Sequence, residues 1–309
     1  MPEPRQPAIS VVIPCFGVAS EILAQAVESA LAQEANVCEI LIVDDASNNP
    51  HTAEAIASRY DLVRVIRHET NRGGSAARNT GIDEARGDLI ALLDADDIWL
   101  PGKLAAQVMA LLEFGSGTIS PVSFCATNCF LERGNIRRPA NHVAPKNNRP
   151  IWHYFLEDGC ALQTSTMLVP APLAKAVRFD PALPRHQDWD FAIRLQKAGV
   201  QIVYLEECLS VYRLHDDPKR ISSNPRAVRN SMVWFQLMRG EIPARAMQRF
   251  FFRSLLSRKA LAAPWSLTIA VTQAIRLSPT TALEAISASR RKSQVAEIPL
   301  APRIRKSTK

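Results

Sequence analysis

No apolar run in this 309-residue chain is long enough to cross a bilayer. The longest uncharged stretch, "ALAAPWSLTIAVTQAI" (residues 260–275), falls short of the roughly 20 residues a spanning helix needs, and it contains Pro264 and Gln273. The opening "MPEPRQPAIS" lacks the apolar core of a secretion signal, so a cytoplasmic protein is expected. There is no internal repeat and no low-complexity tract. The six cysteines form no zinc pattern, because Cys125 and Cys129 are too far apart for a CxxC knuckle and no His pair accompanies them. They read as small core residues in a reducing compartment. Neither a Walker loop with GK[ST] nor a GxGxxG fingerprint occurs. The loop after the first apolar run, "PCFGVAS", has no basic residue. That argues against a nucleotidyltransferase, in which a Gly-rich, Lys/Arg-bearing loop is expected there.

What is present is ample apolar content, 47%, and a formal net charge of +7. The charge points to anionic partners: nucleotide phosphates, acidic lipid head groups or nucleic acid. A nucleic-acid surface should cluster basic residues with exposed aromatics, and only the C-terminal region approaches that. No nucleic-acid partner is expected.

The pattern of elements is α/β. "AISVVIP" (8–14), "EILIVDD" (39–45), "LVRVIRH" (62–68) and "DLIALLD" (88–94) read as strands. Continuous apolar runs of this kind suit strands buried on both faces of a parallel sheet. Helices are predicted from Ser20, which could cap the first, over 75–86, and from Pro101 through Leu111. Strand–helix alternation implies an open, mostly parallel sheet, in which ligands bind at the carboxyl ends of the strands. Farther on, "TISPVSFCATNCF", "LQTSTMLVP", "VQIVYL" and "CLSVYRLH" look like strands, and 187–199 like a helix stopped by Gly199. From about Asn224 helix formers dominate and Arg recurs. Two units are expected: a catalytic domain over 1–222 and a basic helical extension over 223–309, ending in a disordered tail.

Carboxylates collect at the strand ends. Asp94, Asp96 and Asp97 fall within "LLDADDIWLP" (92–101), where like charges repel. In an extended chain residues i and i+2 face the same way, so Asp94 and Asp96 could share Mg²⁺ or Mn²⁺, hard cations that take oxygen ligands and bridge phosphates. The bland alternative is a loop cluster capping the helix at Pro101. Asp44 and Asp45 end the second strand. They could accept hydrogen bonds from a base or ribose, or Asp45 or Ser47 could cap the next helix. Gly73 and Gly74 permit close backbone approach, and Arg78 on the following helix favours an anion. Asp188 and Asp190 could simply favour the positive end of their helix, with Trp189 and Phe191 in the core.

In order and spacing, "ISVVIPCF", "LIVDDAS", "NRGGSAARNTGI", "LIALLDADDIWLPGKL", "HQDWDFAIRL" and "YRLH" resemble the family 2 glycosyltransferases of GT-A fold, over roughly residues 8 to 220. The resemblance implies a Rossmann-like α/β fold with flanking helices. It implies an inverting transfer from a nucleotide-sugar donor, most commonly UDP-linked, to a glycan or lipid-linked acceptor in cell-surface polysaccharide synthesis. By the same resemblance Pro14 borders the nucleotide, Asp44 or Asp45 contacts the base, and Arg78 lies nearby. Asp94 and Asp96 form the DxD that holds Mn²⁺ or Mg²⁺ on the donor diphosphate. Asp188 matches the general base, Trp189 and Asp190 stand on the acceptor side, and His215 closes over the diphosphate. The sequence also departs from the family pattern. Gln187 replaces the usual acid before the base, the GGFDE lead-in is reduced to "VRFDPALP", and the QxxRW motif of processive synthases is missing. A non-processive enzyme follows. With a neutral neighbour and a helix N-terminus, Asp188 is expected to be ionised to lower pH than in the usual pair. Arg245, Arg249 and Arg253 fall on one helical face, which suits either peripheral contact with the anionic inner face of a membrane or packing on the catalytic domain.

Overall fold

The computed structural model describes residues 6–120, 122–214, 227–238, 240–243, 245–247 and 298–299. In chain order the elements are β1 (Ile9–Cys15), α1 (Ser20–Leu31), β2 (Val37–Asp44), α2 (His51–Ala57), β3 (Val63–Arg67), α3 (Gly74–Glu84), β4 (Leu89–Leu92), β5 (Ile98–Trp99) and α4 (Lys103–Phe114). There follow β6 (Ser123–Arg133), β7 (Ile136–Pro139), α5 (Trp152–Leu156), a 3₁₀ turn (Thr164–Thr166), β8 (Met167–Pro170), α6 (Ala171–Val177), α7 (Gln187–Lys197), β9 (Gln201–Arg213), α8 (Ala227–Leu237) and β10 (Ile298–Pro299).

β1 to β4 form a parallel half-sheet in the order β3-β2-β1-β4. The largely apolar runs of β1, β2 and β4 have a direct cause, since both faces of these strands are covered, whereas the outer strand β3 is mostly half-buried. Val12, Leu41, Ile90 and Leu92 point into one core with Ile82 of α3. Ile9, Val11, Ile13, Ile40, Ile42, Leu89 and Ala91 point into the other with Leu23 and Val27 of α1 and Leu104 of α4. This is the period-two alternation of a strand, apolar on both sides. The sheet continues with β8 antiparallel to β4, β6 antiparallel to β8, and β9 parallel to β6. The parallel ladders carry most of the paired length, so the expected mostly parallel open sheet, flanked by helices, is what forms.

α3 lies close on β1 and β2 because Gly81 has no side chain. A Cβ there would collide with Val12 and press on Val43. Gly81→Ala is therefore expected to destabilise the fold by about 1–3 kcal/mol, read as a lower midpoint in urea unfolding with an unchanged slope. An unshifted midpoint would mean that the helix and sheet can separate at no cost.

Several local expectations are corrected. Ser20 is the first residue of α1 rather than its cap, which is Ala19. Neither Asp45 nor Ser47 caps α2; the helix starts at His51 after Pro50, with Asn49 Oδ1 accepting the His51 N–H at 3.1 Å. The acidic cluster does not cap a helix at Pro101. β5 intervenes, and α4 begins at Lys103 after the left-handed Gly102. The two strands predicted over 200–215 are one, β9, whose ladder with β6 shifts register between Thr127 and Cys129. Extra residues around Glu206 and Glu207 are absorbed as a bulge, which interrupts the apolar pattern without ending the strand.

The 222 boundary falls within residues 215–226, outside the described residues, as does His215. Trp234 and Phe235 of α8, with Met238, Ile242 and Ala246 after it, share one core with Tyr154, Phe155 and Phe191.

Candidate active site

Parallel strands in the order β3-β2-β1-β4 place a crevice at their carboxyl ends, where the chain leaves β1 in one direction and β4 in the other. Asp44, Asp45, Pro14 and Asp94 all lie at that edge. Asp94 to Asp97 form a tight turn, with the Asp97 N–H donating to the Asp94 carbonyl at 3.0 Å.

The turn is held by groups from three directions. Arg78 of α3 donates from Nη2 to Asp94 Oδ1 at 2.5 Å and from Nη1 to Gln187 Oε1 at 3.1 Å. One buried guanidinium thus links the β4 end to the first residue of α7. The 3₁₀ turn contributes two hydroxyls. Thr164 Oγ1 donates to Asp94 Oδ2 at 3.1 Å, and Ser165 Oγ donates to Asp97 Oδ2 at 2.6 Å while accepting the Asp94 N–H at 3.0 Å. From β9, the Arg213 N–H reaches Asp97 Oδ1 at 3.3 Å, and its guanidinium lies in the field of Asp97 and Asp96. Asp97 is almost fully buried, and burial, then Asp96 and Asp94, push its carboxyl well above the usual range. The crowding of acids is therefore relieved by the positive charge of Arg78 and Arg213 and by the hydroxyls of Thr164 and Ser165.

Asp45 turns out to be a scaffold for the loop that opens α3. Its carboxylate accepts the Arg72 N–H at 2.8 Å and the Gly73 N–H at 2.7 Å, and Oδ1 pairs with His68 Nδ1 at 2.7 Å. Gly73 has φ +88°, a conformation that favours glycine. Asp44 is ion-paired with Arg67 and accepts the Ser47 N–H at 3.0 Å. Pro14 is the penultimate residue of β1 and is followed, past Cys15, by Phe16, a ring 55% exposed at the crevice edge.

Asp188 lies in the first turn of α7, whose start faces Arg78 and Asp94. It is crowded by protein yet still reached by solvent. Its pKa is raised to about 6, chiefly by desolvation. The Trp189 N–H, donated to Asp188 Oδ1 at 3.0 Å, and Arg78 pull it down, while Asp94 pushes it up. Removal of a like charge by Gln187 is outweighed because burial penalises the charged form directly. Asp190 points elsewhere. Arg194 Nε donates to its Oδ2 at 2.7 Å, and the same guanidinium bonds the carbonyls of Val177 and Arg178. Trp189 is stacked on Phe155, centroids 4.9 Å apart.

The structure thus brings Arg78, Asp94 and Asp188 together, and engages Asp44, Asp45 and Asp190 in internal bonds. Thr164, Ser165 and Arg213 were missed. The only signal for them was the polar "TST" inside an otherwise apolar strand and the "YRLH" already noticed. Among the described residues no group of three or more His, Cys, Asp or Glu side chains could hold a metal on its own. Asp94 and Asp96 nevertheless fit Mg²⁺ or Mn²⁺ chemically. They are hard oxygen donors at the crevice, and such an ion typically takes one or two carboxylates and completes its shell with water and substrate phosphate.

The sequence profile described as Glycosyl transferase family 2 matches residues 10–168. The amylovoran biosynthesis glycosyltransferase AmsB of Erwinia amylovora is 31% identical over 248 residues, 77% of this chain and 80% of that protein. The succinoglycan biosynthesis protein ExoO of Rhizobium meliloti is 40% identical over 104 residues, covering 34% of this chain and 30% of that one. Among solved structures, S. aureus TarS 1-349 in complex with UDP-GlcNAc superposes with a TM-score of 0.58 at 16% identity, over 91% of this chain and 83% of that one. A crystal structure of TarS 1-349 in complex with UDP matches with a TM-score of 0.55 at 15% identity, over 96% and 94%.

Proposed function

The chain belongs to glycosyl transferase family 2 and has the GT-A fold, and from that premise we propose that it is an inverting, non-processive enzyme. In this reading it moves a sugar from a UDP-linked donor to a hydroxyl of a lipid-linked or surface glycan. That it is a glycosyltransferase follows from its family. The relatives' names, amylovoran and succinoglycan biosynthesis, favour a polysaccharide product, and the UDP and UDP-GlcNAc complexes of TarS favour the donor nucleotide. The single observation that carries the mechanism is the convergence of Asp188, Asp94 and Arg78 on one crevice from positions far apart in the sequence.

Asp188 takes the proton of the acceptor hydroxyl as its oxygen bonds to the anomeric carbon. The bond from that carbon to the diphosphate oxygen breaks, and its electron pair leaves with the nucleoside diphosphate. Attack opposite the leaving group inverts the centre. A pKa near 6 suits a base working close to neutral pH. Arg78 offers fixed positive charge beside the leaving group, and the Phe16 ring a face on which the base stacks. Asp94 and Asp96 would hold Mn²⁺ or Mg²⁺, which when bound supplies charge neutralisation at the diphosphate.

Among the described residues no helix is long and apolar enough to cross a membrane. Arg245 is exposed, whereas Arg249 and Arg253 lie outside the described residues. Peripheral contact through this basic segment remains part of the proposal; its signature is binding to anionic but not neutral vesicles, abolished by high salt. The reaction itself is tested by incubating the protein with UDP-, dTDP- and GDP-sugars and Mn²⁺, with and without a lipid extract, and following nucleotide release. Release from a UDP-sugar, accelerated by the extract, is expected. Turnover of only a dTDP- or GDP-sugar would overturn the donor assignment, and no release from any donor would overturn the proposal.

A further inference from the structure

The segment that follows the catalytic strands returns to the start of α7. Ser231 of α8, 2% exposed, sets its Oγ 2.8 Å from His186 Nε2 and 3.0 Å from Arg185 Nη1. Trp234, fully buried, lies 5.2 Å from the His186 ring and edge-on to Trp189 at 5.9 Å. His186 itself lies 4.5 Å from Trp189, so the rings form one packed group around the residue that precedes the helix.

His186 is backbone-unusual. It has φ 61° and ψ 31°, a left-handed conformation that is unfavourable for a residue other than glycine. Such a residue persists where its surroundings over-determine it. Its carbonyl accepts the Asp190 N–H at 2.9 Å, the bond that starts α7, and Asp188 lies inside that turn. The direction in which α7 departs, and with it the aim of Asp188, is therefore set at His186. Arg185 donates to Ser231 Oγ, and the same hydroxyl pairs with Nε2 of the imidazole. Burial, and then Arg185, hold the His186 pKa well below its usual value, so the ring that Ser231 grips is neutral.

We propose that α8 is a positioning element of the active site: Ser231 and Trp234 hold His186 in its left-handed conformation and so aim the Asp188 carboxylate at the crevice. The inference rests on the reading of Asp188 as the base. Ser231, Trp234 and His186 are positioning residues: they act through the backbone at the start of α7, which His186 begins by accepting the Asp190 N–H. The C-terminal extension, set apart from the catalytic half by composition, is in this view required for its chemistry.

The test compares the full chain with Ser231→Ala and with Ser231→Thr, which keeps the hydroxyl. Amide hydrogen exchange over 186–190 is expected to quicken about 10-fold in the Ala variant, with β1 to β4 unchanged and the Thr variant close to wild type. Single-turnover transfer at saturating donor should fall about 10- to 100-fold in the Ala variant, with donor affinity unchanged. Wild-type exchange over 186–190 in the Ala variant would overturn the inference. So would a loss of donor affinity equal to the loss of rate, which is what a general loosening of the fold would produce. If the wild type transfers sugar from no donor, the assignment of the base fails, and the exchange measurement still decides whether α8 holds His186.

Discussion

Asp188→Asn is expected to lower transfer by about 10²- to 10⁴-fold while donor affinity stays near wild type, because the amide keeps the shape of the side chain and cannot take a proton. Single-turnover transfer with saturating donor is the decisive measurement. A variant retaining more than about half the wild-type rate would place the base elsewhere. Asp190→Asn is expected to act differently, through stability, since Asp190 ties Arg194 to the carbonyls of Val177 and Arg178.

The same group carries a pH signature with a definite sign. The base must be ionised to act, so the wild-type rate should rise through pH 6 and level off above it. Stability should run the other way. The folded pKa of about 6 lies above the ordinary aspartate value of 3.8, so the folded chain binds this proton more tightly than the unfolded chain does. This contribution is fully present below pH 4 and is lost as pH rises through 6. Asp188→Asn removes the buried charge. It should therefore raise the melting temperature above pH 7 by about 2–4 °C, a figure discounted for the solvent that still reaches the carboxylate, and change it little below pH 4. A variant that is both inactive and less stable at pH 8 would contradict this account of the site.

The second large effect is expected at Asp96. Asp96→Ala should weaken UDP binding at least about 10-fold when Mn²⁺ is present and leave metal-free binding unchanged. Asp96 is the cleaner probe of the pair. Asp94 also anchors Arg78 and Thr164, so its removal would disturb the frame along with any metal contact. Calorimetric titration of UDP with and without Mn²⁺ reads the difference. Equal affinities for the variant and wild type in Mn²⁺ would remove Asp96 from the metal site.

The sequence by itself determined the half-sheet. β1, β2 and β4 are apolar at most of the positions that two helical layers must cover, the buried Ser10–Glu39 hydrogen bond apart, and that requirement is local and periodic. It also determined where the acids lie, because residues just after such strands must emerge at the carboxyl edge. What it could not decide was which of those acids are spent on the scaffold. Asp44 and Asp45 look as available as Asp94 in one dimension. Only the close approach of Arg67, Gly73 and His68 shows that they hold loops together. The burial of Asp188 was likewise out of reach, because a helix N-terminus is visible in the sequence and desolvation is not. The hydroxyls of Thr164 and Ser165 and the grip of Ser231 on His186 come from segments about 70 and 45 residues away along the chain. No periodicity or composition encodes such pairs. They exist because the tertiary structure leaves buried polar atoms near one another, and each must find a partner once water is excluded.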